Sequence, residues 1–216
     1  MALRLHGTYG ITSDKYNGLS HLDSARVFLE GGFKIIQYRG KRPDGTELQV
    51  REQIKQALEI KELCRSYGAA FIVNDRLDVA LEVDADGLHI GQDDIPMKTA
   101  SKAFNGVIGI SVSTAKQAML AEHDGASYLG VGTIFPSGTK KEGEPIIGLE
   151  GLADVCRLSP LPKFAIGGIE VSLLPSIRKA GADGIAVISA VLRHESGYER
   201  VAAAREFVRK WAALEV

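Results

Sequence analysis

Eight short apolar runs, four to six residues each and free of charge except at their edges, punctuate the chain: Thr8–Ile11, Phe33–Tyr38, Ala70–Val73, Gly87–Ile90, Val107–Ile110, Tyr128–Val131, Lys163–Ile166 and Gly184–Val187. Strands buried on both faces of a parallel sheet have this character, because neither face meets water. Between the runs lie stretches with helical spacing. In Leu48–Tyr67 the apolar Val50, Ile54, Leu58 and Leu63 recur among Arg51, Glu52, Lys55, Glu59 and Lys61, which predicts an amphipathic helix. Ala115–His123 and Tyr198–Leu214 read the same way. Glycine sits where helices should turn back into strands, as in Gly31-Gly32, Gly68 and Gly181, where a left-handed residue permits the reversal. Eight such units at about 27 residues each predict an α/β protein, a single-domain (β/α)8 TIM barrel spanning residues 1–216, with an open doubly wound sheet as the alternative.

Composition narrows the functional classes. Lys plus Arg (26) nearly cancel Asp plus Glu (27), so a nucleic-acid or membrane-surface role has no electrostatic support. No apolar run reaches the length of a membrane span, and the first residues lack a signal-peptide pattern. Cys64 and Cys156 lie in helical stretches without CxxC spacing and read as reduced core residues of a cytoplasmic protein. Whether the chain forms a homo-oligomer is left open.

Polar residues gather at the carboxyl ends of the predicted strands, the face on which barrel enzymes build their sites. Gln37, Arg39 and Lys41 follow the second strand; Asn74, Asp75 and Arg76 the third; Gly91, Gln92, Asp93 and Asp94 the fourth; Ser111 and Ser113 the fifth. Asp75 and Asp94 end neighbouring strands, and one or two carboxylates completed by substrate oxygens and water make a Mg²⁺ site. A helix cap is the competing role for Asp75, and Asp93 competes with Asp94. Arg39, Lys41 and Lys140 or Lys141 are cations suited to a di- or triphosphate. Gly167-Gly168, with a helix starting near Val171, and Ser189 after the eighth strand suit a monophosphate held by backbone amides. Two anion pockets of different kind imply an enzyme acting on two phosphorylated small molecules. His89, inside the fourth strand, reads as a packed or hydrogen-bonded barrel residue rather than a general base.

Several motifs together resemble the thiamine-phosphate synthase family: Tyr9-Gly10-Ile11-Thr12, Gln37-Tyr38-Arg39-Gly40-Lys41, Val73-Asn74-Asp75-Arg76, His89-Ile90-Gly91-Gln92-Asp93-Asp94, Gly109-Ile110-Ser111-Val112-Ser113, Ser137-Gly138-Thr139-Lys140-Lys141, Ala165-Ile166-Gly167-Gly168-Ile169 and Ile188-Ser189. They span nearly the whole chain in the family's order. The resemblance implies joining of a hydroxymethylpyrimidine diphosphate to a thiazole phosphate, with release of diphosphate. The pyrimidine C–O bond would break first, and the thiazole nitrogen would attack the resulting cation. It further implies that Gln37, Tyr38, Arg39, Gly40, Lys41, Asn74, Ser111 and Lys140 hold the pyrimidine diphosphate, with Arg39, Ser111 and Lys140 carrying catalysis. Ser137, Gly138, Thr139, Gly168, Ile188 and Ser189 would cradle the thiazole phosphate, and Asp75 and Asp94 would bind Mg²⁺. Tyr38, Gly40 and Thr133 depart from the Leu, Glu and Pro common in the family. The segment Thr133–Glu144, rich in small polar residues, is expected to be a lid.

Two rivals stand beside this reading. A thiazole tautomerase on the same fold would need an acid/base residue but not the metal pair and its opposing cations. A non-catalytic phosphate sensor would bind without turnover.

Overall fold

The computed structural model describes residues 3–16, 18–42, 44, 46–136 and 145–214. Eight parallel strands close into a barrel in chain order: β1 (Gly7–Ile11), β2 (Ile35–Tyr38), β3 (Ala70–Asn74), β4 (Gly87–Ile90), β5 (Val107–Val112), β6 (Tyr128–Val131), β7 (Lys163–Ile166) and β8 (Gly184–Val187). Pairing of Tyr9 with Ala186 and of Gly10 with Val187 joins the first strand to the last, so the open-sheet alternative falls. The helices are α1 (His21–Glu30), α2 (Val50–Ser66), α3 (Leu77–Glu82), α4 (Met97–Ala103), α5 (Ala115–His123), α6 (Gly148–Leu158), α7 (Leu174–Lys179), α8 (Ser189–Leu192) and α9 (Gly197–Ala212). A 3₁₀ turn at Val171–Leu173 leads into α7.

Strand alternation divides the apolar residues into two cores. Ile36, Phe71, Val73, Leu88, Ile90, Leu129, Val131 and Ile185 point outward and pack under the helices. Tyr9, Ile11, Ile35, Ile72, Tyr128, Phe164 and Ala186 point inward and fill the barrel. Phe164 presents its ring edge-on to both Tyr9 and Tyr128, at centroid distances of 5.3 and 5.7 Å.

The buried face of α2 is only in part the expected one: Ile54 and Leu63 pack half-buried against the core. Val50 is 38% and Leu58 50% exposed, whereas Gln53, Ala57, Ile60 and Cys64 are buried. Gln53 satisfies its amide by donating to the Leu48 carbonyl at 2.9 Å. Cys64 and Cys156 are free thiols, pushed up to about 12 and about 11 by burial. No helix among the described residues is long and apolar enough to cross a membrane.

Candidate active site

The strand carboxyl ends surround a cavity of about 740 Å³. Its wall includes the expected Gln37, Arg39, Lys41, Asn74, Asp75, Asp94, Ser111, Gly168, Ile188 and Ser189. Its floor is the barrel interior itself, where Tyr9, His89, Tyr128 and Phe164 reach the same space.

The acidic corner is built at the ends of β3 and β4. Asp75 has a φ of +62°, a conformation that non-glycine residues enter at a cost and that recurs at functional positions. Its amide donates to the His89 carbonyl at 2.8 Å, which ties the end of β3 to β4. The carboxylate accepts from Lys41 Nζ at 2.7 Å. It does not cap α3, whose N-cap is Arg76 without a side-chain bond. Asp94 Oδ2 accepts from the Gly91 amide at 2.6 Å. Burial pushes the Asp94 carboxyl up; the Gly91 amide opposes this, the charge of Asp75 adds to it and Lys41 relieves it. Two carboxylates thus crowd one another beside a single lysine, an arrangement that a second positive charge would relieve.

The basic side comes from the loop after β2. The Arg39 amide donates to Thr12 Oγ1 at 3.2 Å, and the Leu48 amide donates to the Gly40 carbonyl at 3.2 Å, pinning both ends of the segment that carries Lys41. Arg76 is turned away: its guanidinium holds Asp78 and Glu47. Gln92 reaches across to donate to the Ser111 carbonyl at 2.7 Å. Ser113 lines the cavity but spends its hydroxyl on Gln117, at the start of α5.

Opposite these charges lies a neutral cradle. Gly167 and Gly168 have φ of +99° and +63°. A Cβ on Gly168 would stand 2.5 Å from the Pro136 carbonyl oxygen, so only glycine lets the loops after β6 and β7 approach. The Phe135 amide donates to the Gly167 carbonyl at 3.0 Å across that approach. Ser189 opens α8, and burial pushes the Tyr16 phenol of the β1–α1 loop up, an effect that Ser189 and Arg193 oppose.

The Tyr38 side chain lies away from the cavity. Alternation along β2 sends Gln37 inward and Tyr38 outward, where its hydroxyl donates to Gln56 Oε1 at 3.0 Å and its ring packs edge-on against His21. Gly40 likewise stands off the cavity wall, and a Cβ there would meet the Tyr38 hydroxyl at 2.8 Å. Ser137, Gly138, Thr139 and Lys140 lie outside the described residues, as does most of the expected lid. Tyr9 and Tyr128 join the site without having been expected there; each carries a polar tip at an inward strand position, and Tyr128 pairs across the sheet with Gly109.

The arrangement can hold a polyanion at the charged end and a monophosphate at the neutral end, with an apolar-floored gap between them. Residues 8–191 match the family model described as thiamine monophosphate synthase. The chain is 46% identical over 206 residues to a thiamine-phosphate synthase of Caldivirga maquilingensis, covering 95% of this chain and 96% of that protein. It is also 46% identical over 182 residues to one of Methanocella arvoryzae, covering 82% of each. A thiamine phosphate pyrophosphorylase structure from Pyrococcus furiosus superposes with a TM-score of 0.87 at 37% identity, covering 98% of both chains. With that match over residues 8–191 and these relatives, the chain is a member of the thiamine monophosphate synthase family.

Proposed function

We propose that this enzyme condenses 4-amino-2-methyl-5-(diphosphooxymethyl)pyrimidine with 4-methyl-5-(2-phosphoethyl)thiazole, giving thiamine phosphate and diphosphate. The observation that carries this reading is one cavity with a carboxylate–lysine–arginine end and a glycine-lined end. A tautomerase or a sensor of one phosphate has no use for the charged half.

Asp75 and Asp94 are the residues that would hold Mg²⁺. Among the described residues no cluster of three His, Cys, Asp or Glu side chains is present, so the protein offers two carboxylates and leaves the remaining positions to water and diphosphate oxygens. That donor set fits Mg²⁺, and the mutual crowding of the two carboxylates is what a dication would compensate. When bound, the ion supplies charge neutralisation at the leaving diphosphate.

The chain's own groups do the rest. Arg39, Lys41 and Lys140 donate to the departing diphosphate, and their charge counts most as the C–O bond lengthens. Gly168 and Ser189 fix the thiazole phosphate and so aim the ring nitrogen at the pyrimidine methylene carbon, turning a two-body encounter into an aligned collapse. The Tyr9, Tyr128 and Phe164 floor excludes water that would otherwise capture the cation. No side-chain base is required, since the attacking nitrogen carries a free lone pair. The free cysteines suit a reducing compartment, which supports a cytoplasmic enzyme.

The test is product formation followed by mass spectrometry, with purified protein, both substrates and either Mg²⁺ or chelator. Mg²⁺-dependent thiamine phosphate is expected. Saturable binding of the thiazole phosphate without product would favour the sensor.

A further inference from the structure

Beneath the cavity, five side chains from five strands form one unbroken hydrogen-bonded line. Gln37 Nε2 donates to the Tyr9 hydroxyl at 2.8 Å; the Tyr9 and Tyr128 hydroxyls are 2.9 Å apart; Tyr128 Oη lies 3.1 Å from His89 Nδ1; and His89 Nε2 lies 3.0 Å from Ser111 Oγ. Gln37, Tyr9, Tyr128 and His89 are all buried.

Such a line has a polarity, because each hydroxyl has one proton to give. Either phenol can donate between Tyr9 and Tyr128. With the Gln37 N–H on Tyr9, the sense that strands no buried proton has Tyr9 donating to Tyr128, since the reverse leaves the Tyr9 proton without an acceptor in the line. Tyr128 then spends its proton on His89 Nδ1. With Nδ1 accepting, the neutral imidazole carries its proton on Nε2 and donates it to Ser111 Oγ. The Ser111 hydroxyl proton is left over, and Ser111 faces the cavity. Run the other way, the same five groups would make Ser111 donate to His89 and turn its lone pairs toward an arriving anion.

We propose that Tyr9, Tyr128 and His89 are positioning residues whose directional hydrogen bonds fix Ser111 as a hydroxyl donor to the pyrimidine diphosphate. The proposal rests on the condensing activity for the identity of the anion, but the polarity itself is a property of the free protein. Two glycines make room for the line. A Cβ on Gly109 would collide with the Tyr128 ring, and one on Gly130 would stand 3.0 Å from His89 Cε1 and 3.3 Å from its Nε2. Both phenols are held protonated, Tyr9 and Tyr128 being pushed far up by burial, so neither interrupts the line by ionising.

The first experiment is ¹⁵N NMR of the histidine-labelled enzyme, with the His89 ring assigned by loss of its signals in His89→Gln. The proton is expected on Nε2, with Nδ1 bare. A ring protonated on Nδ1 alone would overturn the polarity. The second is a cycle of Tyr128→Phe, Ser111→Ala and the double variant, read as turnover of the pyrimidine diphosphate. Tyr128→Phe should cost about tenfold in the native background, the scale of one hydrogen bond, and almost nothing once Ser111 is alanine. Equal losses in both backgrounds would show that Tyr128 serves packing alone. If the native enzyme makes no product, the functional reading has failed, and the NMR result still decides the polarity. The NMR result also stands should Tyr128→Phe fail to fold.

Discussion

Lys41 Nζ lies 2.7 Å from Oδ2 of Asp75, so a cation that should meet the diphosphate is already paired with a carboxylate that should meet the metal. The two ends of the charged pocket are thereby coupled. Replacing Lys41 by Met should raise KM for the pyrimidine diphosphate about tenfold, equivalent to ~1.4 kcal/mol. It should also lower the Mg²⁺ concentration needed for half-maximal activity, because Asp75 loses its resident counter-charge. A variant with unchanged KM would mean that Lys41 serves Asp75 and not the substrate.

Lys140→Ala should reduce turnover on the order of 10²–10³ at saturating substrates, as removal of one charge-stabilising donor does. Single-turnover kinetics would separate this from slow product release. Near-native turnover would remove Lys140 from the reaction.

The glycines inside the barrel should respond according to what faces them. Gly109→Ala drives a methyl into the Tyr128 ring and should cost about 1–3 kcal/mol, lowering Tm by roughly 3–10 °C. Gly197, at the start of α9, has open space where a methyl group would go, with nothing within 4 Å, and its alanine variant should stay within about 0.5 kcal/mol of the parent. Equal melting temperatures for the two variants would contradict the packing.

Gly168→Ala should raise KM for the thiazole phosphate while leaving that for the pyrimidine diphosphate nearly unchanged. The new side chain meets both a left-handed backbone and the Pro136 carbonyl oxygen. A rise in both constants together would mean that the two pockets are not independent.

His21 is buried beside β1, with Nδ1 3.0 Å from Thr12 Oγ1, and burial holds its pKa below the ordinary 6.5. Asp14, and more weakly Glu52, pull it back up, while Arg39 pushes it down. A histidine kept neutral in the fold binds its proton more readily when unfolded. Its stabilising effect is therefore complete above the unfolded pKa and is lost as pH falls below about 6.5. Thermal melts across this range should show the loss, and His21→Gln should flatten that part of the profile.

How much of this was legible in the chain depends on which physical rule each feature obeys. The strands were legible because burial on both faces forces an uninterrupted apolar run; Gly87–Ile90, Tyr128–Val131, Lys163–Ile166 and Gly184–Val187 keep the same boundaries in the structure. The carboxylate pair and the glycine cradle were legible because strand ends are a fixed place in a barrel. Facing was harder. Tyr38 sits in the middle of a site motif, yet its parity on β2 sends it out under the helices. The buried stripe of α2 was legible only in part: Ile54 and Leu63 pack against the core, but Gln53 and Ala57 are buried while Leu58 is half exposed. The line from Gln37 to Ser111 was hidden for a further reason: its members meet only once the register of five strands is known.

Closure of the barrel through Tyr9 and Ala186 has a consequence for synthesis of the chain. The strand that emerges first contributes Tyr9 to the cavity, and the one that emerges almost last leads into Ser189. A nascent chain with seven strands in place has most of its helices and the aromatic residues of the floor but an open ring and no finished cradle. Activity therefore arrives in a single step, at the ligation of the oldest strand to the youngest, and reports that the ring has shut.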